Sequence, residues 1–419
     1  MSEKLRVTSQ PGFVKLWIGQ TVSAVGSQMT GLAIPVIAVT FLNASELEMG
    51  LLSAADTSAF LVVGLLAGAL VDRWVKRKVM IVADLVRMFA TALVPILWIY
   101  GVLNIYQLMI IGALISVASV FFDVSYQSYI PILLRSEYIG LANSRLETTS
   151  QISGIASPGI VGQILTIIKA PLLLIADAVT FLVSAISLWF IKDNEIPKPK
   201  TDRRPINKEI AEGLSFVWNQ RLIRAISFTT STSNLLGTIV GTMFALYFFR
   251  EEFLSLNAAA FGFLMTFGSV GGLLGAVSTP KLIKIFGEGP LIVLSSFVMG
   301  LSQLLVPLSW YLPREFALPA LIVNTTITSF TVLAYNITQV TARQRICPEH
   351  LLGRMNASIR FMVWGSMPIG ALISGVLGDQ FGVITTIWVG AVLNFFTFGF
   401  VFFSPLRTMR EMPQKPDIK

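Results

Sequence analysis

The sequence predicts an all-α membrane protein of about twelve transmembrane helices, arranged as two pseudo-symmetric six-helix bundles. Three observations carry this reading. Of 419 residues, 54% are hydrophobic and only 13% charged, whereas soluble domains carry about 25% charged residues. Apolar runs of roughly twenty residues recur along the whole chain, each long enough to cross a bilayer. A weak internal repeat, offset by about half the chain, relates the two parts.

Taken in order, spans are expected near 13–40, 49–71, 79–100, 107–130, 142–168 and 170–191, then near 224–249, 258–279, 290–312, 316–340, 355–378 and 384–403. Backbone polar groups cannot be left bare in hydrocarbon, so runs this close together must be helices that turn back on themselves. The expected domains are an N-terminal bundle over 1–191, a cytoplasmic linker over 192–223, a C-terminal bundle over 224–403 and a tail over 404–419. In the linker, Pro197-Lys198-Pro199-Lys200 reads as extended chain. Beyond Pro205, the pattern of Ile210, Leu214, Phe216 and Val217 with Glu209, Glu212 and Arg221 reads as a short amphipathic helix along the inner surface, a connector between halves.

The repeat is carried by two matching segments. Glu137-Tyr138-Ile139-Gly140-Leu141-Ala142-Asn143 precedes span 5, and Glu349-His350-Leu351-Leu352-Gly353-Arg354-Met355-Asn356 precedes span 11. A proline-glycine region follows each, with Pro158, Gly159 and Gly162 in one half and Pro368, Gly370 and Gly375 in the other. Glycines there let helices approach closely.

The net charge of +8 is not gathered on a soluble domain, which argues against a nucleic-acid partner. The cations sit in short loops, nearly all on the side of the two termini, while the opposite loops hold only Lys169, Arg250 and Arg314. Such a bias places both termini in the cytoplasm. The single cysteine, Cys347, allows no intrachain disulfide. The chain opens polar and its first apolar run is of full spanning length, so no cleavable leader is expected. His350 is the lone histidine, and no metal cluster or cofactor site can be assembled around it. No Gly-x-x-x-x-Gly-Lys-Ser/Thr loop is present, so any transport draws on a gradient, is passive, or borrows a separate ATPase subunit.

Four spans carry polar residues at helical spacing: Gln20, Ser23, Ser27 and Thr30 in span 1; Ser116, Ser119, Asp123 and Gln127 in span 4; Ser227, Ser231, Asn234, Thr238 and Thr242 in span 7; Asn324, Thr328, Thr331, Tyr335 and Thr338 in span 10. Such stripes face protein or water rather than lipid, and these are the candidate cavity-lining residues. Span 6 shows a similar stripe around Asp177, and serine and threonine also act as glue between helices. Ionisable groups inside spans are costly and therefore functional candidates. Asp123, on the polar face of span 4, is the first candidate for proton exchange or for pairing with a cationic substrate, and Asp56 in span 2 is the second. Asp177 reads as structural, and Asp84 with Arg87 as an intrahelical pair. Arg145 and Glu147, entering span 5, belong to an expected inner network, with Glu147 a further proton-coupling candidate.

Between spans 2 and 3 lies Gly68-Ala69-Leu70-Val71-Asp72-Arg73-Trp74-Val75-Lys76-Arg77-Lys78. This stretch resembles the signature loop of the major facilitator superfamily, Gly-x-Leu-x-Asp-Arg-x-Gly-Arg-Lys. Gly68, Leu70, Asp72, Arg73, Lys76 and Arg77 match it, and Val75 replaces the second glycine. Ala83-Asp84-Leu85-Val86-Arg87, Ala142-Asn143, Asp177-Ala178-Val179-Thr180-Phe181 and Leu352-Gly353-Arg354-Met355-Asn356 are similar to the macrolide-efflux and enterobactin-exporter branch of the drug:proton antiporters. The arginine-centred motif that many such antiporters carry in helix 4 is missing, and the proline-glycine motif of helix 5 is partial. The resemblance implies that spans 1, 4, 7 and 10 line a cavity. It also implies that Gly68, Asp72, Arg73, Lys76, Arg77, Asp84, Arg87 and Arg145 form a cytoplasmic gate.

The expected function is export of an amphipathic small molecule (a drug, an antibiotic or a siderophore) by proton antiport and alternating access, without enzymatic activity. The expected partners are that substrate, protons and the lipid bilayer of the bacterial cytoplasmic membrane, with the protein acting as a monomer. Import or passive facilitation of a small solute stays open as an alternative, as does a non-transporting sensor or assembly subunit.

Overall fold

The computed structural model describes residues 7–71, 73–193, 195, 206–348 and 351–413, and these are helical throughout, with no strand among them. The first helix, α1 (Pro11–Val36), starts on a proline that needs no amide partner and runs on into a π-helical turn at Ile37–Phe41. Next come α2 (Glu46–Val62) and α3 (Gly64–Val71), separated only at Val63, then α4 (Lys76–Ile99) and α5 (Ile105–Leu133). Asn104 and Gln107 form a reciprocal capping box at the start of α5, satisfying amides the first turn leaves open. The first part of the chain closes with α6 (Ser136–Ile164) and α7 (Ala170–Trp189).

After α8 (Ile206–Asn219) follow α9 (Arg221–Phe249), α10 (Ala258–Phe286), α11 (Glu288–Gln303) and a short continuation, α12 (Leu305–Leu308). The chain ends with α13 (Arg314–Ile346), α14 (Leu352–Phe381), α15 (Val383–Phe395) and a last turn, α16 (Gly399–Phe402). Among the described residues, ten helical stretches are long and apolar enough to cross a membrane. The α2–α3 pair falls outside that set because it is broken at Val63. So does α6, which carries Glu137, Arg145 and Glu147.

The chain forms two compact units, Met1–Ala44 with Ala55–Asp202 and Asn257–Phe263, and Ser45–Ala54 with Arg203–Leu256 and Leu264–Lys419. In the first, α7 packs along both α1 and α4, and α4 along α5, around Phe13, Leu16, Met80, Phe122 and Tyr129. The row Gly19, Ser23, Gly26 and Thr30 of α1 recurs every three or four residues, and its glycines bring α1 close to Ser184, Ser187 and Thr180 of α7. Beside it, Asp177 is fully buried and accepts hydrogen bonds from Thr30 and Thr180. That matches its structural reading. In the second unit, α9 packs along α14 and α15, and α11 along α13, around Ile223, Ile226, Ile292 and Ile359.

α8 is amphipathic, with Ala211, Glu212, Ser215 and Trp218 exposed. Its other face docks on the start of α14, where Gly213 permits close approach and Val217 enters the core, and Glu212 pairs with Arg354.

Each unit also holds a close contact at a glycine of the internal repeat. In the first, a Cβ on Gly162 of α6 would lie 2.8 Å from the Ala258 carbonyl oxygen and 2.9 Å from Gly262 Cα of α10. In the second, a Cβ on Gly50 of α2 would lie 2.8 Å from the Ala371 carbonyl oxygen of α14, opposite Gly375. Gly162 and Gly375 are among the glycines that the internal repeat picks out, with Gly159 and Gly370.

Candidate substrate recess and the signature loop

The first unit contains a recess of about 480 Å³ between α1, α5 and α6. Trp17, Gln20, Thr21 and Ala24 form one wall, Tyr126, Gln127 and Ile130 the second, and Asn143, Leu146, Thr149 and Ser150 the third. The helical period explains the first two walls: positions 17, 20, 21 and 24 share one face of α1, and 123, 126, 127 and 130 one face of α5. Trp17 is fixed in place. Its Nε1 donates to Thr149 Oγ1 at 2.8 Å, Phe13 stacks on its ring at 6.3 Å, and the Arg145 guanidinium lies 5.8 Å from its centroid. Thr21 is already satisfied by the Trp17 carbonyl. By contrast, the Gln20 side-chain nitrogen is buried without a partner.

The lining carries no formal charge, and its chemistry is that of aromatic faces, amides and hydroxyls. Such a surface stacks on planar or apolar groups and exchanges hydrogen bonds with a few polar ones, as ligand sites of this size do. Asp123 is exposed one turn from Gln127 on the same face of α5. Ser119, a turn further on, is half-buried, and Asp56 is exposed on α2, its carbonyl oxygen accepting from Ser116. The Glu147 side chain lies outside the described residues.

Of the residues expected to line a cavity, the recess brings together Gln20 and Gln127. Ser27 is exposed and donates to the Ser23 carbonyl, while Ser23 is buried in the row of α1 that meets α7. In the second unit the stripe residues are spent on packing. Asn234 donates to the Val363 carbonyl at 3.1 Å and Asn324 to the Ser302 carbonyl at 2.8 Å. Thr238 and Thr331 bond their own helices. Tyr335 is buried and meets Thr230 at 2.8 Å, tying α13 to α9. Asn234, Asn324 and Tyr335 thus tie neighbouring helices together, while the threonine hydroxyls are satisfied by the preceding turn of their own helix. Trp17, Tyr126 and the α6 wall were missed. The polar stretch Asn143-Ser144-Arg145 and Glu147-Thr148-Thr149-Ser150, interrupted only by Leu146, was the available signal. Arg360, on α14, is another ionisable group within an expected span that sequence reading passed over.

The residues of the signature loop fall into different settings. Asp72 lies outside the described residues, Gly68 belongs to α3, and Arg73 is exposed. Lys76 and Arg77 bind acids of their own unit, just after α7. Lys76 Nζ lies 3.2 Å from Glu195 Oε1, and the Lys76 amide donates to the same carboxylate at 3.0 Å. Arg77 Nε lies 3.2 Å from Asp193, which also accepts from Tyr129, and Arg77 bonds the Ile191 carbonyl. Glu195 thus places a negative charge at the start of α4, where the open amides of a helix favour one. Asp84 and Arg87 form a buried pair, with the guanidinium 4.2 Å from the Phe122 ring centroid and 4.6 Å from that of Phe181. Both belong to the core where α4, α5 and α7 meet.

The profile of the transmembrane secretion effector family matches residues 5–418. The multidrug efflux pump Tap of Mycolicibacterium fortuitum is 25% identical over 373 residues, covering 86% of this chain and 88% of that protein. Macrolide efflux protein A of Streptococcus pyogenes is 23% identical, covering 88% of this chain and 90% of that protein. A crystal structure of a bacterial homologue of the iron transporter ferroportin, in an inward-facing state, superposes with a TM-score of 0.75 at 14% identity, over 95% of this chain and 100% of that one.

Proposed function

Since the chain belongs to the transmembrane secretion effector family of the major facilitator superfamily, we propose that it exports an amphipathic small molecule in exchange for protons. The observation that carries this reading is the uncharged, aromatic and amide-lined recess beside an exposed carboxylate. Trp17 and Tyr126 offer faces to a planar or greasy substrate, and Gln20, Gln127 and Asn143 orient its polar groups. Asp123 exchanges the proton, with Asp56 and Glu147 as the other candidate carriers. Efflux relatives of nearly full length support the outward direction.

In this reading the α2–α3 pair and α6 also cross the bilayer, completing twelve spans in two bundles, with both termini in the cytoplasm. Polar groups on α6 are tolerated at that depth because they face the recess. Alternating access then exposes the recess to either side in turn. Asp72 and Arg73 hold the cytoplasmic side shut while the other side is open.

Everted membrane vesicles test the proposal with ethidium, an amphipathic cation, as probe. An exporter accumulates ethidium when the vesicle interior is acidified, and the Asp123→Asn variant loses that response. Accumulation independent of the pH gradient, in both proteins, identifies a passive facilitator instead. An Asp123→Asn protein that still responds to the gradient moves the coupling role to Asp56 or Glu147.

A further inference from the structure

The basic residues of the signature loop divide into two sets. Lys76 and Arg77 turn toward Glu195 and Asp193. Arg73 and Lys78 turn the other way, are exposed, and pair with no acid among the described residues. They stand at one end of a cleft of about 630 Å³ between α4 and α5, whose apolar walls the transport reading does not use.

The walls of this cleft are apolar. Val82 and Val86 of α4 face Leu114 and Phe121 of α5, and among the described residues no acidic side chain lines it. Its floor lies on the face of α5 opposite Gln127, so it is not a branch of the substrate recess. Val82 is 60% exposed, and the same stripe of α4 continues through the exposed Phe89 and Leu93. In a bilayer, side chains in that position meet acyl chains. At the cationic end, the Trp74 ring stacks on Phe121 at 6.2 Å and closes the cleft over. Tryptophan beside lysine and arginine is the combination found where hydrocarbon gives way to headgroups.

We propose that this cleft binds one anionic glycerophospholipid, with its phosphate between Arg73 and Lys78 and an acyl chain along Val82, Val86 and Leu114. The ordinary lipid-facing surface of a helix offers only the apolar part of such a site. Here depth, an interfacial tryptophan and two cations that pair with no acid among the described residues coincide. The arrangement selects by headgroup charge, since a zwitterionic lipid brings its own cation toward Arg73 and Lys78. On the orientation proposed above, the lipid comes from the cytoplasmic leaflet. Arg73 is shared with the proposed gate, whereas Lys78 has no part in the transport reading and separates the two roles.

Native mass spectrometry of the full-length protein, released from micelles holding equal phosphatidylglycerol and phosphatidylcholine, tests the assignment. One phosphatidylglycerol is expected to be retained in clear preference. Lys78→Gln should reduce that preference roughly fivefold, the share of one cation near a membrane surface, and Lys78→Arg should restore it. Val86→Trp, which fills the cleft while leaving both cations, should remove the retained lipid. Soluble glycerophosphoglycerol should not displace it, because the acyl chain supplies part of the binding. Equal retention of the two lipids, an unaltered preference in a folded Lys78→Gln protein, or displacement by the soluble headgroup would each overturn the proposal. Because retention is read without substrate, its loss is distinguishable from failure of the export reading.

Discussion

At the residue scale, the candidate site depends on a few side chains whose roles can be separated. Trp17 contributes a ring face to the recess and an Nε1–H to Thr149. Aromatic contacts of this kind contribute about 0.5–1.5 kcal/mol beyond area burial. Trp17→Ala should therefore raise the apparent KM for ethidium export by about three- to tenfold, and Trp17→Phe, which keeps the ring, should recover most of that. Transport kinetics in everted vesicles read both. Lys76 and Glu195 make a different prediction. Their side chains are only 7% and 2% exposed, and a buried charge left without its partner costs about 3–5 kcal/mol. Lys76→Met or Glu195→Gln alone should lower the melting temperature markedly. The double variant should be less destabilised than the two single changes added together, because the orphaned charge disappears. Strict additivity would mean that the pair is not coupled.

The same scale explains why part of the site was unreadable in the sequence. Asp193 and Glu195 follow α7, and their signal was two acids on the same expected side of the membrane as a basic triplet. Nothing in the spacing says that they reach the loop more than a hundred residues earlier. The Asp84–Arg87 pair was legible because a separation of three on a helix brings side chains together without any help from tertiary structure. Its cover by Phe122 and Phe181 was not, since those rings come from two other helices.

At the element scale, periodicity told which residues share a face but not what that face meets. The stripe on α1 proved to be two adjacent rows, one lining the recess through Gln20 and one meeting α7 through Ser23 and Thr30. Rows on a helix lie close together, so a stripe that is four residues long can straddle both. On α13, Asn324 and Tyr335 bridge to neighbouring helices, which polar residues in a membrane do as readily as they line water. The repeat glycines were more informative, because close approach is something only a missing side chain permits. Gly162→Val in α6 places methyl groups where Gly262 and the Ala258 carbonyl already stand. Overpacking of that kind costs about 1–3 kcal/mol, so the variant should melt several degrees lower in detergent. Gly375→Val, its counterpart in the other unit, should behave alike because it meets Gly50 and the Leu47 carbonyl. If either variant melts like the parent protein, that helix contact is not tight in solution.

At the scale of the whole molecule, the orientation argument turns on how many helices cross. Ten helices satisfy length and apolarity by themselves, and the α2–α3 pair and α6 do not. Every crossing reverses the side, so omitting one of these would invert every loop between it and the end of the chain. The charges do not tolerate this: dropping α6 alone would carry Lys281 and Lys284, Arg343 and Arg345, and the tail cations Arg407 and Arg410 to the outside, against the bias that governs short loops. Reporter fusions resolve the count without reference to substrate. Alkaline phosphatase, active only outside the cytoplasm, should be active when joined after Gly101, Ile168 or Tyr311. A fluorescent protein, which matures in the cytoplasm, should fluoresce when joined after Lys192, Phe286 or Arg410. Activity at Gly101 and Ile168 with fluorescence at Lys192 requires both α6 and α7 to cross. The opposite pattern from Ile168 onward would leave α6 on the cytoplasmic side, and the recess it walls could not then open across the membrane.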